Sequence, residues 1–176
     1  MNTREHESLY GHRDYSFEVE SSWYRGKTTI RSFEPEELFG TKLRALLQRR
    51  KSRDLFDLGE GLSRLTMQSD KLIAAFEHYL GLQGIEMTRA VAEERMLEKL
   101  NRSLTEDITP LLPAGVTFTD GQANDAFERI RRELISWVKG EPWKLSARNI
   151  ANIRASIPGF LEQDSGEAGE PGASEK

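Results

Sequence analysis

Strand-like patterning occurs in only two short places in this chain, and the rest of its ordered length is patterned for helix. Residues 15–19 (YSFEV) alternate aromatic or apolar with polar side chains, and residues 28–33 (TTIRSF) are rich in β-branched types. Between them, residues 21–27 (SSWYRGK) supply a turn around Gly26. A lone hairpin is marginal in water. It must pair with more sheet or pack on helices, and little further strand is on offer. The expected fold class is therefore α+β, a mostly helical bundle preceded by a short β-hairpin over 15–33.

The helices begin at Glu34-Pro35-Glu36-Glu37. Proline suits the first helical position, and the acidic residues complement the positive end of the helix dipole. Phe39, Leu43, Leu46 and Leu47 come next at helical spacing, with Leu38 widening the stripe and basic residues crowding the last turn. Ser52 is placed to cap a second helix from Arg53 to about Leu62, with Leu55, Leu58 and Leu62 on one face and Gly59 and Gly61 weakening its end. Further helices are expected over 69–82, 88–100, 123–139 and 146–157, with a loop rich in Pro and Gly around Pro110, Pro113 and Gly115. In the fifth helix Glu128, Arg129, Arg131, Arg132 and Glu133 surround Phe127, Ile130, Leu134 and Val138, which describes a bundle helix with a salt-bridge-capable face. Residues 1–14 are expected to be flexible. Residues 162–176 (EQDSGEAGEPGASEK) are acidic and lack core formers, so a disordered tail is expected there. The domain is thus placed at 15–161.

Bulk properties narrow the function classes. The chain has 176 residues and a net charge of -4, which argues against a whole-surface duplex binder but leaves a local basic site open. It has no cysteine, so disulfides and thiolate metal sites are excluded and a reducing cytoplasm fits. No apolar run approaches the roughly 20 residues that span a bilayer, and no membrane role is expected. The three histidines, His6, His12 and His78, show no ligand spacing. Trp23, Trp137 and Trp143 are expected to pack in the core rather than to stack on bases.

Residues 39–58, FGTKLRALLQRRKSRDLFDL, concentrate the charge. Lys42 and Arg49 lie seven apart, close to two helical turns, so a continuous helix would point both to one side beside the apolar stripe. Asp54 and Asp57 share a face of the next helix. Two cations and two carboxylates converging there would suit a triphosphate with a metal. The same spacing equally suits an ordinary ion pair between Arg53 and Asp57, with Asp54 a first-turn dipole partner. Arg44, Arg50 and Lys51 read as a solvated face.

The stretch ELFGTKLRALLQRRKSRDLFDL, residues 37–58, resembles the signature of the AbiEii/AbiGii nucleotidyltransferase toxins. The pattern comprises Glu37 and Leu38 at the helix start, Lys42, and the run Arg49, Arg50, Lys51, Arg53, Asp54, Leu55, Phe56 and Asp57. The preceding Val19, Glu20, Ser21, Ser22, Trp23 and Tyr24 match a family strand segment. The resemblance implies the C-terminal half of a polymerase-β-like nucleotidyltransferase that uses an NTP and Mg²⁺. It also implies the toxin of a type IV toxin–antitoxin or phage-abortive system, with a cognate antitoxin. By carry-over, Lys42 contacts the nucleotide phosphates, with Arg49 and Arg53 grouped beside it as nucleotide-binding. Asp54 is the candidate base or metal-proximal acid, and Asp57 is grouped with it as catalytic. The superfamily's upstream G-S turn and D-x-D carboxylates find no match. Glu18 and Glu20, two apart on one strand face, are the nearest substitute. The expectation is a truncated or split protein, inactive alone, whose partner is a missing N-terminal half. The alternative is a non-catalytic helical module that binds the antitoxin or a separate catalytic half.

Overall fold

The computed structural model describes residues 8–101 and 104–156. Residues 1–7 and the expected tail at 162–176 lie outside them. Strand β1 (His12–Glu20) pairs antiparallel with β2 (Arg25–Phe33) in a two-stranded sheet. Six α-helices come after it among the described residues: α1 (Pro35–Gln48), α2 (Arg53–Arg64), α3 (Ser69–Gly81), α4 (Arg89–Glu98), α5 (Asp120–Glu133) and α6 (Ser146–Ser156). The α+β architecture is as the patterning predicts.

The hairpin differs in detail from the expectation. Its first strand starts at His12 rather than Tyr15, and the turn sits at residues 21–24 rather than around Gly26. The Ser21 N–H donates to the Tyr24 carbonyl at 2.8 Å, and the Tyr24 N–H donates to Ser21 Oγ at 3.0 Å. Gly26 lies inside β2 opposite Val19, and the Tyr24 ring lies over it, where a Cβ would collide. The register puts Tyr15 opposite Ile30 and Phe17 opposite Thr28, making one face apolar. The other face carries cross-strand pairs, Asp14 with Arg31 and Glu20 with Arg25, with Glu18 opposite Lys27. Glu18 and Glu20 therefore face cations. The apolar face is open, with Phe17 48% and Ile30 45% exposed. Trp23 and Trp137 are also exposed, contrary to the core expectation, while Trp143 packs against the core.

The helical body is organised around α1, which packs on α3 and α2, while α2 packs on α5. Leu43, Leu46, Leu55, Leu58, Leu72 and Phe76 are buried between them. Two glycines let the helices approach. A Cβ at Gly40 would lie 2.8 Å from the Leu72 carbonyl oxygen and 2.9 Å from the Phe76 nitrogen, so α1 rests on the backbone of α3. A Cβ at Gly59 would lie 2.6 Å from that of Ala126 on α5. Gly59 and Gly61 thus do not end α2, which runs on to Arg64; they fit it against its neighbours. Gly40→Ala is expected to lower the unfolding free energy by about 1–3 kcal/mol, read as a shift in the urea midpoint, because backbone rather than a flexible side chain must yield.

Some helix ends obey local chemistry and others do not. Thr119 and Gln122 form a capping box at the start of α5, and Thr88 caps α4. Ser52 occupies the N-cap of α2 but makes no side-chain capping bond. The basic run does not fill the last turn of α1: the helix stops at Gln48, and Arg49 is already extended. The cation at that helix end comes from elsewhere, since Lys99 Nζ donates to the Arg49 carbonyl at 2.9 Å. The fifth helix stops at Glu133, and a 3₁₀ turn over Ile135–Trp137 replaces its expected last turns.

Candidate functional site

A cleft of about 1140 Å³ opens between α1, α2, α5 and the loop before α5. One wall carries Phe39, Lys42, Phe56 and Asp57; the opposite wall carries Asn124, Asp125 and Arg129 of α5, with Phe118 at the loop. The chain reverses over residues 49–52, so the middle of α1 meets the second turn of α2. There Lys42 Nζ donates to Asp57 Oδ2, with the two side chains 30% and 43% exposed. This pair replaces the Arg53–Asp57 ion pair that helical spacing suggests. Arg53 is exposed and outside the cleft.

Asp54 lies elsewhere. Its side chain is 9% exposed and sits at the α1–α2 elbow, with Oδ2 3.5 Å from Arg49 Nη1. Lys99 joins this elbow from the 3₁₀ turn after α4. Burial pushes the Lys99 amine below the usual lysine range, and the charges of Asp54, Asp107 and Glu98 oppose that shift. The signature thus divides into a cleft pair, Lys42 with Asp57, and an elbow trio, Arg49, Asp54 and Lys99. Lys42 and Arg49 do not share a side because the helix that would align them ends between them.

A second buried carboxylate organises the other face of α1. Glu37 is fully buried and accepts from the Tyr79 hydroxyl, from the Leu9 N–H at 2.7 Å, from the Tyr10 N–H at 2.9 Å and from Ser8 Oγ at 2.8 Å. Burial alone would raise its pKa, but the hydrogen bonds from Tyr79, Tyr10, Leu9 and Ser8 together outweigh it and hold the carboxyl below its ordinary value. Residues 8–10, expected to be flexible, are therefore fastened to α1. Arg44 is half-buried rather than solvated: its guanidinium lies 5.6 Å from the Tyr79 ring centre and donates to the Tyr79 carbonyl at 3.2 Å. Lys51 is exposed but lies 3.5 Å from Asp107.

The α5 wall is the part that periodicity did not locate. Arg129 Nη1 donates to Ser63 Oγ at 3.0 Å, which ties α5 to α2 across the cleft floor. Arg131 is paired with Glu128 and Arg64 with Glu60. The cleft lining is therefore mixed in charge, the combination that a triphosphate and its counter-ion need. No three Asp, Glu or His converge on one point among the described residues. No helix among the described residues is long and apolar enough to cross a membrane.

The comparisons with known proteins meet this geometry in the stretch that builds it. No curated protein and no solved structure is matched. The family pattern described as "Nucleotidyl transferase AbiEii toxin, Type IV TA system" matches residues 2–133, which include the hairpin, Lys42, Asp57 and the α5 wall. Family membership implies a nucleotide and a metal as cofactors and an antitoxin as partner. The chain belongs to the AbiEii family of nucleotidyltransferase toxins of type IV toxin–antitoxin systems.

Proposed function

We propose that the chain provides the nucleotide-holding part of an enzyme that transfers a nucleoside monophosphate from an NTP to an acceptor, acting as a cytoplasmic toxin in phage defence. In such a transfer an acceptor oxygen attacks the α-phosphorus, the α–β phosphoanhydride bond breaks and pyrophosphate leaves. The observation that carries the reading is the Lys42–Asp57 pair, set in a cleft large enough for a nucleotide and inside the family-matched stretch. Lys42 is the proposed phosphate contact, and Asp57 the proposed carboxylate at the reacting end. Arg49 and Asp54 are proposed to stabilise the α1–α2 elbow without acting on the nucleotide, and Arg53 is proposed as a peripheral contact to the phosphates. Mg²⁺ is the proposed metal.

A second reading is a non-catalytic module that binds the antitoxin or a separate catalytic half. The open apolar face of the hairpin favours it. Both readings meet in one expectation, because the described residues converge no carboxylate cluster. The purified chain, given radiolabelled NTP, Mg²⁺ and RNA or protein acceptors, is expected to transfer no label. Label transfer that disappears in Asp57→Ala or Asp54→Ala would show a self-sufficient active site and overturn the half-site account.

A further inference from the structure

The Lys42–Asp57 pair deals with phosphate and leaves the base of a nucleotide unaccounted for. The cleft extends beyond that pair to α5, and its lining there changes character. Phe56 and Phe118 form an edge-to-face pair, ring centres 5.1 Å apart and planes at 88°. Both rings line the cleft and both are only partly buried, with Phe118 also packed against the core. Phe118 is held in place because the next residue, Thr119, begins the capping box of α5. Two side-chain amides come next on that helix. Gln122 is committed: its Oε1 accepts from the Thr119 N–H at 2.8 Å and from the Thr119 hydroxyl at 3.2 Å. Asn124 lines the cleft, and its amide has no hydrogen-bond partner among the described residues. An aromatic ring and an amide on one cleft lining can serve a base: the ring can stack on the π-face of any base, and the amide offers a donor and an acceptor to its edge.

We propose that the α5 side of the cleft binds the base of a nucleoside triphosphate, with Phe118 stacking on it and Asn124 reading its edge. This rests on the proposed nucleotide-holding role and adds to it a position for the base and the residue that sets base preference. The nucleotide then spans from α5 toward Lys42, in a cleft whose volume of about 1140 Å³ lies just above the usual range for small-molecule sites.

The test titrates the full chain, with Mg²⁺, separately with ATP, GTP, CTP, UTP and inorganic tripolyphosphate. Phe118→Leu is expected to weaken NTP binding about tenfold and to leave tripolyphosphate binding unchanged, since stacking acts only on the base. Phe118→Tyr is expected to restore NTP affinity. Asn124→Ala is expected to change the ranking of the four NTPs rather than to lower all equally. Unchanged tripolyphosphate binding also shows that a variant is folded. The proposal is overturned if Phe118→Leu weakens tripolyphosphate as much as ATP. It is also overturned if Lys42→Ala weakens NTP binding while Phe118→Leu and Asn124→Ala do nothing, which leaves the nucleotide-holding role standing. Failure of the wild-type chain to bind either tripolyphosphate or NTP overturns both.

Discussion

Glu37→Ala is expected to lower the free energy of unfolding by about 2–5 kcal/mol, the sum of the hydrogen bonds its buried carboxylate accepts. The carboxylate has no exposure and gathers donors from two places, the N-terminal arm at residues 8–10 and Tyr79 on α3. Alanine removes an acceptor shared by Ser8 Oγ, two part-buried backbone N–H groups and the Tyr79 hydroxyl, and a buried donor that loses its acceptor costs about 1–3 kcal/mol. The loss should also be local. Amide exchange at Leu9 and Tyr10 is expected to lose its protection before the helical core does. Glu37→Gln keeps the shape and one acceptor oxygen and should cost less. The pH dependence has a definite sign. Its hydrogen bonds hold Glu37 below the ordinary carboxylate value, and those from Ser146 Oγ, Arg89 and the Trp143 N–H do the same for Glu93 of α4, so each contributes stability that is complete above about pH 4.3 and is lost as pH falls through the folded value. Urea titrations in that acid range should show a shallower fall for Glu37→Gln than for the wild type. An equal slope would mean that Glu37 does not titrate as its hydrogen bonds require.

Lys42→Ala is expected to weaken binding of tripolyphosphate, or of an NTP with Mg²⁺, by about 10–100-fold, the size of one charge-assisted hydrogen bond to phosphate. Its partner gives the complementary result. Asp57→Asn leaves Lys42 without its carboxylate and removes a like charge facing the ligand, so metal-free tripolyphosphate should bind more tightly than to the wild type. Asp54→Asn separates the two halves of the signature. Asp54 sits at the elbow beside Arg49 and away from the cleft, so this change should alter stability and leave ligand affinity unchanged.

Much of the fold was readable because it lives within single elements. Pro35 with Glu36 and Glu37 marked the start of α1, and the leucines of α1, α2 and α3 marked their buried faces. The hairpin was visible in the alternation around Phe17. Errors arose where a neighbouring element decides. Nothing in QRRKS stops a helix locally; the chain leaves α1 at Arg49 because Ser52 and Asp54 are buried at the elbow and Lys99 takes over the helix end. Gly59 reads as a helix weakener until α5 lies against it. Glu37 reads as a dipole partner until Tyr79 and the arm reach it. The site was legible by half. Lys42 and Asp57 were named among the candidates, but their pairing depends on the reversal between α1 and α2. The α5 wall depends on a helix-helix contact that periodicity does not specify. Its one local signal was Phe118 directly before a Thr–Gln capping box, which fixes an aromatic ring at a helix entrance.

The proposed position of the nucleotide is the Lys42 side of the cleft and not the Asp54 elbow. Isothermal titration of Mg²⁺ and ATP into the wild-type chain, Lys42→Ala and Asp54→Asn tests that assignment directly. The expected outcome is a binding isotherm for the wild type, the same affinity in Asp54→Asn, and at least about a tenfold loss in Lys42→Ala. Equal affinity in the wild type and Lys42→Ala, or a loss confined to Asp54→Asn, would contradict it.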